Sequence, residues 1–378
     1  MSKIKVSVII PVYNAEEFLD DCLTTIFAQT LKEIEVICVN DGSKDKSLDV
    51  LKRYKKQDER MVVIDQQNQG AGAARNVGLS IAKGEYLSFL DADDFYEKDM
   101  LEKAYAAAKK ADADVCVFDA DLFDDLTKEY RPCTWAFRRQ YFEDQVVFNP
   151  KEYPNNENIF RMFNGWPWDK LFKRKFVQRE GIVYQNLRTT NDMFFVFIAL
   201  AKAERIVTLD ECLIHQRVSV SNSLSRTREK SWDCFYLGLK AMHEELESSN
   251  LGDTYRKAFL NWTVNFSLWQ LNHMKGIAYC NTYNLLRNTA FEEFGVTRAS
   301  EDEFYSKVEY SQYKAIMEVP VEEVLMNRIE ALEKEKQAAL EKQDELQRKI
   351  KKIKSTTAYK VGNTLAKVPR KLKRAIKK

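Results

Sequence analysis

The chain has 378 residues, 45% of them hydrophobic and 31% charged, with a net charge of +2. That is the balance of a soluble globular protein, and no apolar run is long enough to span a bilayer. Thirteen Lys or Arg and no acidic residue follow Glu345, leaving −11 on residues 1–345, so nucleic acid along the whole protein is excluded and a local anionic contact is expected. Seven Cys without a Cys-x-x-Cys spacing argue against a disulfide framework or a zinc site and fit a reducing compartment. Cys22, Cys38 and Cys116 fall inside apolar runs and are expected in the core. The start, Met1-Ser-Lys-Ile-Lys-Val6, leads straight into a strand, so no signal peptide and a cytoplasmic location are expected.

Val6 to Ile10 reads as a strand, and Pro11-Val-Tyr-Asn14 turns out of it. Asn14 with Glu17 three later is a capping pattern for a helix from about Ala15 to Phe27. Glu35 to Asn40 is the second strand and ends in Asp41-Gly-Ser43. A polar helix to about Gln57 precedes a third strand, Met61 to Ile64. Gln69-Gly-Ala-Gly-Ala-Ala-Arg-Asn76 opens another helix, Tyr86 to Leu90 is the next strand, and a helix over 98–110 leads to Val115–Phe118. Strands alternating with helices predict an α/β fold with a parallel, doubly wound sheet. In such a sheet the ends of the first, second and fourth strands converge on one crevice.

Three carboxylates, Asp91, Asp93 and Asp94, follow the fourth strand at once. Asp91 and Asp93 lie two apart, on one side of an extended backbone. A hard divalent cation holding a diphosphate would relieve their repulsion; capping a following helix is the alternative. Arg75 opens a helix after Gly70 and Gly72, a place suited to phosphate oxygens or to a surface ion pair. Gly70-Ala-Gly72 follows the third strand and lacks a third glycine, so a dehydrogenase fingerprint is excluded.

Val8-Ile-Ile-Pro-Val-Tyr-Asn14, Val39-Asn-Asp-Gly-Ser43, Gly72-Ala-Ala-Arg-Asn-Val-Gly78 and Asp91-Ala-Asp-Asp94 resemble, in order and spacing, the successive motifs of glycosyltransferase family 2. The likeness runs to about residue 220. It implies a GT-A nucleotide-sugar-binding fold and inverting transfer from a UDP-sugar to a hydroxyl of a glycan or lipid-linked acceptor, in surface polysaccharide synthesis at the inner membrane face. It implies that Asp41 accepts from the uracil N–H, that Pro11, Val12 and Tyr13 wall the base, and that Arg75 and Asp91 serve the nucleotide. Asp93 would then hold Mg²⁺ or Mn²⁺. Asp192, in Thr189-Thr-Asn-Asp192 before the apolar Met193–Ile198, matches the family's catalytic base, with a helix cap as the alternative. Trp166-Pro-Trp-Asp-Lys-Leu-Phe172 resembles the family's segment near the acceptor, which places Trp168 and Lys170 there, although Trp168 can equally be core. His215 and Arg217 open a stretch to Ser225 similar to the family's closing loop near the diphosphate, and nothing among the three His resembles a metal triad. The catalytic domain is therefore expected over residues 1–225.

Beyond it, apolar and aromatic residues from Trp232 to Trp269 recur at helical spacing and predict a helical subdomain over 226–318. A lipid-acceptor groove there is the alternative. Leu325, Leu332, Ala339, Leu346 and Ile353 recur every seven residues, a heptad pattern that predicts a coiled-coil helix over 319–354 and a homo-oligomer, against a single solvated helix. Val361, Leu365, Val368, Leu372 and Ile376 form an apolar stripe among Lys and Arg over 355–378, a basic amphipathic tail suited to an anionic membrane surface. Two other classes stay open at this point. A sugar-nucleotide nucleotidyltransferase would want a Gly-rich, Arg- or Lys-bearing loop after the first strand. A non-catalytic assembly protein would have no use for Asp91, Asp93 and Asp192.

Overall fold

The structure, a computed structural model, describes residues 3–141, 147–153, 156–218 and 224–363, with 224–226 by backbone alone. The chain divides into two compact units, Met1–Lys314 and Ala315–Lys378. The first opens with β1 Val6–Val12, α1 Leu19–Phe27, β2 Ile34–Asp41, α2 Ser47–Gln57, β3 Met61–Gln66, α3 Ala71–Ile81 and β4 Tyr86–Phe89. There follow β5 Phe95–Tyr96, α4 Met100–Ala111, β6 Val115–Asp124, β7 Glu129–Pro132, β8 Val147–Phe148, α5 Ile159–Met162, β9 Lys170–Lys173, α6 Arg174–Arg179, α7 Met193–Lys202 and β10 Ile206–Val218. Helices α8 Cys234–Ser248, α9 Gly252–His273, α10 Gly276–Leu285 and α11 Phe291–Glu293 follow, and a further helix, Lys307–Glu318, begins before the unit ends.

The strands form one sheet in the order β3-β2-β1-β4-β9-β6-β10-β5, with β7 on β6 and β8 on β10. From β3 to β4 every pairing is parallel. All eight residues of β2 are buried, as a strand covered by helices on both faces requires. Helix α1 buries Leu19, Cys22, Leu23 and Ile26, one apolar stripe at helical spacing. The expected cap is not formed. Helix α1 begins at Leu19, and Asn14 sits at φ 50° with its Oδ1 accepting from the Lys44 N–H at 2.7 Å. Asn14 therefore ties the first turn to the second instead of starting a helix.

The sheet is mixed rather than wholly parallel. β9 enters between β4 and β6 and runs antiparallel to both. β10 returns beside β6, parallel to it, and carries β5 on its far side.

The predicted helical region is present as α8 to α11. Phe235, Leu239, Met242 and Leu246 make the buried face of α8. The second unit contains the 35-residue helix α12, Val321–Ser355. Its heptad residues Leu325, Ile329, Leu332, Leu346, Ile350 and Ile353 are all exposed. Leu365, Val368, Leu372 and Ile376 of the predicted basic tail lie outside the described residues. No described helix is long and apolar enough to cross a membrane.

Candidate active site

Three parallel strands bring their carboxyl ends to one edge of the sheet: β1 ends at Val12, β2 at Asp41, and β4 just before Leu90 and Asp91. Alternation decides which side chains emerge there. Tyr13 is 48% exposed and Pro11 half-buried, whereas Val12 is fully buried. Of the expected base wall, the Val12 side chain thus belongs to the core.

Asp41 is also buried. Its Oδ1 accepts from the Gln66 amide at 2.8 Å and the Gln69 N–H at 2.9 Å, and its Oδ2 from the Gly70 N–H at 2.8 Å. The carboxylate therefore orders the turn into α3, and a lone pair on Oδ2 remains for a further donor. Gly72, in the first turn of α3, lets another segment come close. A Cβ at this position would stand 2.2 Å from the Gln185 carbonyl oxygen. Asn76 holds the same segment, donating from Nδ2 to the Tyr184 carbonyl and accepting the Tyr184 N–H at Oδ1, both at 2.8 Å.

Arg75 joins three parts of the site. Its Nη2 donates to Asp91 Oδ1 at 2.7 Å and its Nη1 to Asn191 Oδ1 at 2.9 Å. The guanidinium lies 5.4 Å from the centre of the Tyr184 ring. Arg75 is buried and fixes the end of β4 against the turn before α7. Asn191 and Tyr184 were not singled out by the sequence.

The acidic residues meet through a turn, not through the extended backbone expected. The Asp94 N–H donates to the Asp91 carbonyl at 3.4 Å, and one carboxylate oxygen from each of Asp91, Asp93 and Asp94 lies within 4.8 Å of the others. β5 follows directly, and α4 starts behind Asp99, so these carboxylates cap no helix. Burial, then the Asp91 charge, pushes Asp93 up to about 6, and burial with Asp93 and Asp91 pushes Asp94 well above the carboxylate range. Crowded hard oxygens that resist ionisation fit a divalent cation, which would replace the proton as the neutralising charge. Arg217 closes the turn from behind. Its N–H donates to Asp94 Oδ1 at 2.8 Å and its Nε to the Asp93 carbonyl at 2.9 Å, while the other guanidinium nitrogens reach Asp125 and Asp21.

Asp192 takes the N-cap position of α7 but makes no capping hydrogen bond. Burial raises its pKa; Arg75 opposes that shift and Asp91 adds to it. Asp192 therefore shares its electrostatic surroundings with both residues of the Arg75–Asp91 pair.

Other expected residues stand elsewhere. Trp168 is 1% exposed and stacks on Trp166 at 5.1 Å, which makes it core. Lys170 is fully buried, its Nζ donating to the carbonyls of Asn164 and Trp166 at 3.1 and 2.9 Å and to Asp169 at 2.6 Å. Its donors are thus committed to the core, and the Asp192 charge opposes the lowering of its pKa by burial. His215 bonds Asp121 and Glu97, not the acidic turn. Residues 219–223 of the expected closing loop lie outside the described residues.

Residues 7–177, from β1 into α6, match the family described as Glycosyl transferase family 2. The glycosyltransferase GlyG of Streptococcus pneumoniae serotype 4 is 39% identical over 276 residues, 67% of this chain and 88% of GlyG. The chain belongs to glycosyltransferase family 2. As a family 2 glycosyltransferase it is a transferase of the hexosyl type, and the nucleotidyltransferase alternative is set aside. The poly(ribitol-phosphate) beta-glucosyltransferase of Bacillus spizizenii is 42% identical over 213 residues, but this chain spans only 30% of it. The crystal structure of S. aureus TarS 1–349 in complex with UDP superposes with a TM-score of 0.64 at 22% identity, covering 83% of this chain and 88% of that one. That likeness shows the fold, a GT-A-type α/β domain with a mostly parallel sheet and a helical region after it.

Proposed function

We propose that this glycosyltransferase takes a UDP-linked sugar, inverts its anomeric centre and delivers it to a hydroxyl of a surface polysaccharide or lipid-linked glycan. Asp192 carries the proposal. It is a carboxylate with a raised pKa that leaves its helix uncapped and shares its surroundings with Arg75 and Asp91. A base of that kind takes the proton of an acceptor hydroxyl as it attacks the anomeric carbon. On the donor side, Asp41, Pro11 and Tyr13 receive the nucleotide and Asp91 the ribose. Arg75 keeps Asp91 and the Asn191–Asp192 turn in fixed relation, which sets the line of attack. Asp93, with Asp91 and Asp94, would hold Mg²⁺ or Mn²⁺, whose charge stabilises the departing diphosphate.

The UDP assignment is supported by the UDP and UDP-GlcNAc complexes of TarS, and the polymer acceptor by the likeness to the poly(ribitol-phosphate) beta-glucosyltransferase of B. spizizenii. Residues 1–225 would form the catalytic domain and 226–318 a helical subdomain over it. The exposed heptad face of α12 supports pairing of two copies, and the basic end of the chain supports peripheral attachment to the inner membrane face. A panel of nucleotide sugars with Mg²⁺ or Mn²⁺ tests the reading by the nucleoside diphosphate released and the anomeric configuration of the product. UDP release with inversion is expected. Release of GDP alone, or retention of configuration, would overturn it.

A further inference from the structure

Strand β10 pairs irregularly with β6. The register runs Leu209 opposite Phe118, then Cys212 opposite Asp119, then Ile214 opposite Ala120, so β10 is bulged on both sides of Cys212. In a regular strand residues three apart face opposite sides of the sheet. The bulge at Leu213 cancels that alternation and brings Cys212 round to the side of His215. His215 in turn stands opposite Asp121 on the parallel β6. One ligand atom from each of Asp121, Cys212 and His215 therefore lies within 4.8 Å of the others.

The surroundings hold the imidazole in place. Nδ1 is 2.7 Å from Asp121 Oδ1, and Nε2 is 3.1 Å from Glu97 Oε1. Phe95 and Tyr130 flank the ring with centroids at 5.0 and 5.2 Å. A carboxylate on one imidazole nitrogen with the other turned to further ligands is the arrangement that orients metal-bound histidines. Asp119, next on the same face, is taken by Arg139 at 2.6 Å, so Asp121 remains for a ligand. Cys212 is exposed, which gives an ion a way in.

We propose that Asp121, Cys212 and His215 form a zinc-class metal site, with Glu97 holding the Nε2–H and a water completing four-fold coordination. A nitrogen, a sulfur and one carboxylate oxygen suit Zn²⁺, whereas the all-oxygen set of Asp91, Asp93 and Asp94 suits a hard cation. Binding forms bonds from the ion to the Cys212 thiolate, His215 Nδ1 and the Asp121 carboxylate, and releases to solvent both the Cys212 thiol proton and the Nδ1 proton that otherwise bonds Asp121. Burial and Asp121 push the Cys212 thiol up to about 12; an ion beside it would reverse that preference. The site lies two residues before Arg217, so an ion here would brace the strand that holds the acidic turn.

Titration of the chelator-stripped full chain with Co²⁺ alone tests the assignment spectroscopically. One equivalent should give a thiolate-to-cobalt charge-transfer band and the intense visible bands of a four-coordinate ion, and Zn²⁺ should displace both. Cys212→Ser should abolish the charge-transfer band. Glu97→Gln, which leaves all three ligands in place, should weaken binding about 10- to 100-fold. Asp93→Asn should leave the band intact, which separates this site from the carboxylate cluster. Absence of the band in the unmodified protein, its persistence in Cys212→Ser, or its loss in Asp93→Asn would overturn the proposal.

Discussion

Asp93→Asn removes one of three crowded carboxylates while preserving its size. Asp93 is pushed from 3.8 up to about 6 by burial first and Asp91 second. A carboxyl whose folded pKa exceeds its unfolded value lowers stability where both states are ionised, here above about pH 6. That penalty fades as the pH falls through this window and is gone below the unfolded value. A shift of about two units corresponds to about 3 kcal/mol. In EDTA near neutral pH the variant should therefore be the more stable protein by up to about 3 kcal/mol, with the gap closing toward about pH 4. Its cation-dependent turnover should meanwhile fall by about 10²–10³, the scale of losing one such electrostatic contact. Urea unfolding at several pH values gives the first quantity and UDP release with Mn²⁺ the second. A variant less stable than the parent at neutral pH, or one with full turnover in EDTA, would refute the reasoning.

Asp192→Asn should keep UDP affinity by calorimetry and lower kcat by about 10²–10⁴, since a positioned base contributes on that scale. Gly72→Ala should push residues 184–192 off α3, because its Cβ would meet the Gln185 carbonyl at 2.2 Å; a loss of about 1–3 kcal/mol in urea unfolding together with reduced turnover is expected. Lys170→Met leaves the buried Asp169 carboxylate unpaired and should lower unfolding stability by about 3–5 kcal/mol. A chain ending at Glu345 should no longer pellet with anionic vesicles, whereas the whole protein should, and high salt should partly release it. Equal pelleting of the two would rule the tail out as an anchor.

The strands β1, β2, β3 and β4 were legible because each is an apolar run closed by turn residues, and their order followed from the alternation with helices. β9 was not. It has four residues, Lys170–Lys173, too few for a period to register, and its leading Lys is buried only because Asp169 and two carbonyls surround it. The motifs pointed to Asp91, Asp93 and Asp192 directly. They could not show that Arg75 pairs with Asp91, since Asn191 and Tyr184, which complete its surroundings, lie more than a hundred residues further along the chain. Trp168 carried a mixed signal, and packing against Trp166 resolved it toward the core. Cys212 and His215 stand three apart on a strand, a spacing that would face them to opposite sides, and it takes a bulge and a second strand to bring them together with Asp121.

Arg217 holds the acidic turn across 123 residues of chain. Contacts that close such long loops form late, because the chain must first lose the entropy of the intervening segment. During synthesis the N-terminal part emerges first and begins to order before the rest exists. A nascent chain that has reached β5 already contains each motif proposed for the donor side, yet Asp93 and Asp94 still lack the backbone and guanidinium contacts that pin them. If the acidic turn holds the cation as proposed, competence for sugar transfer is deferred until β10 docks beside β6. A ribosome stalled before Ile206 would, on that reading, carry a folding sheet whose acidic turn is not yet pinned for sugar transfer.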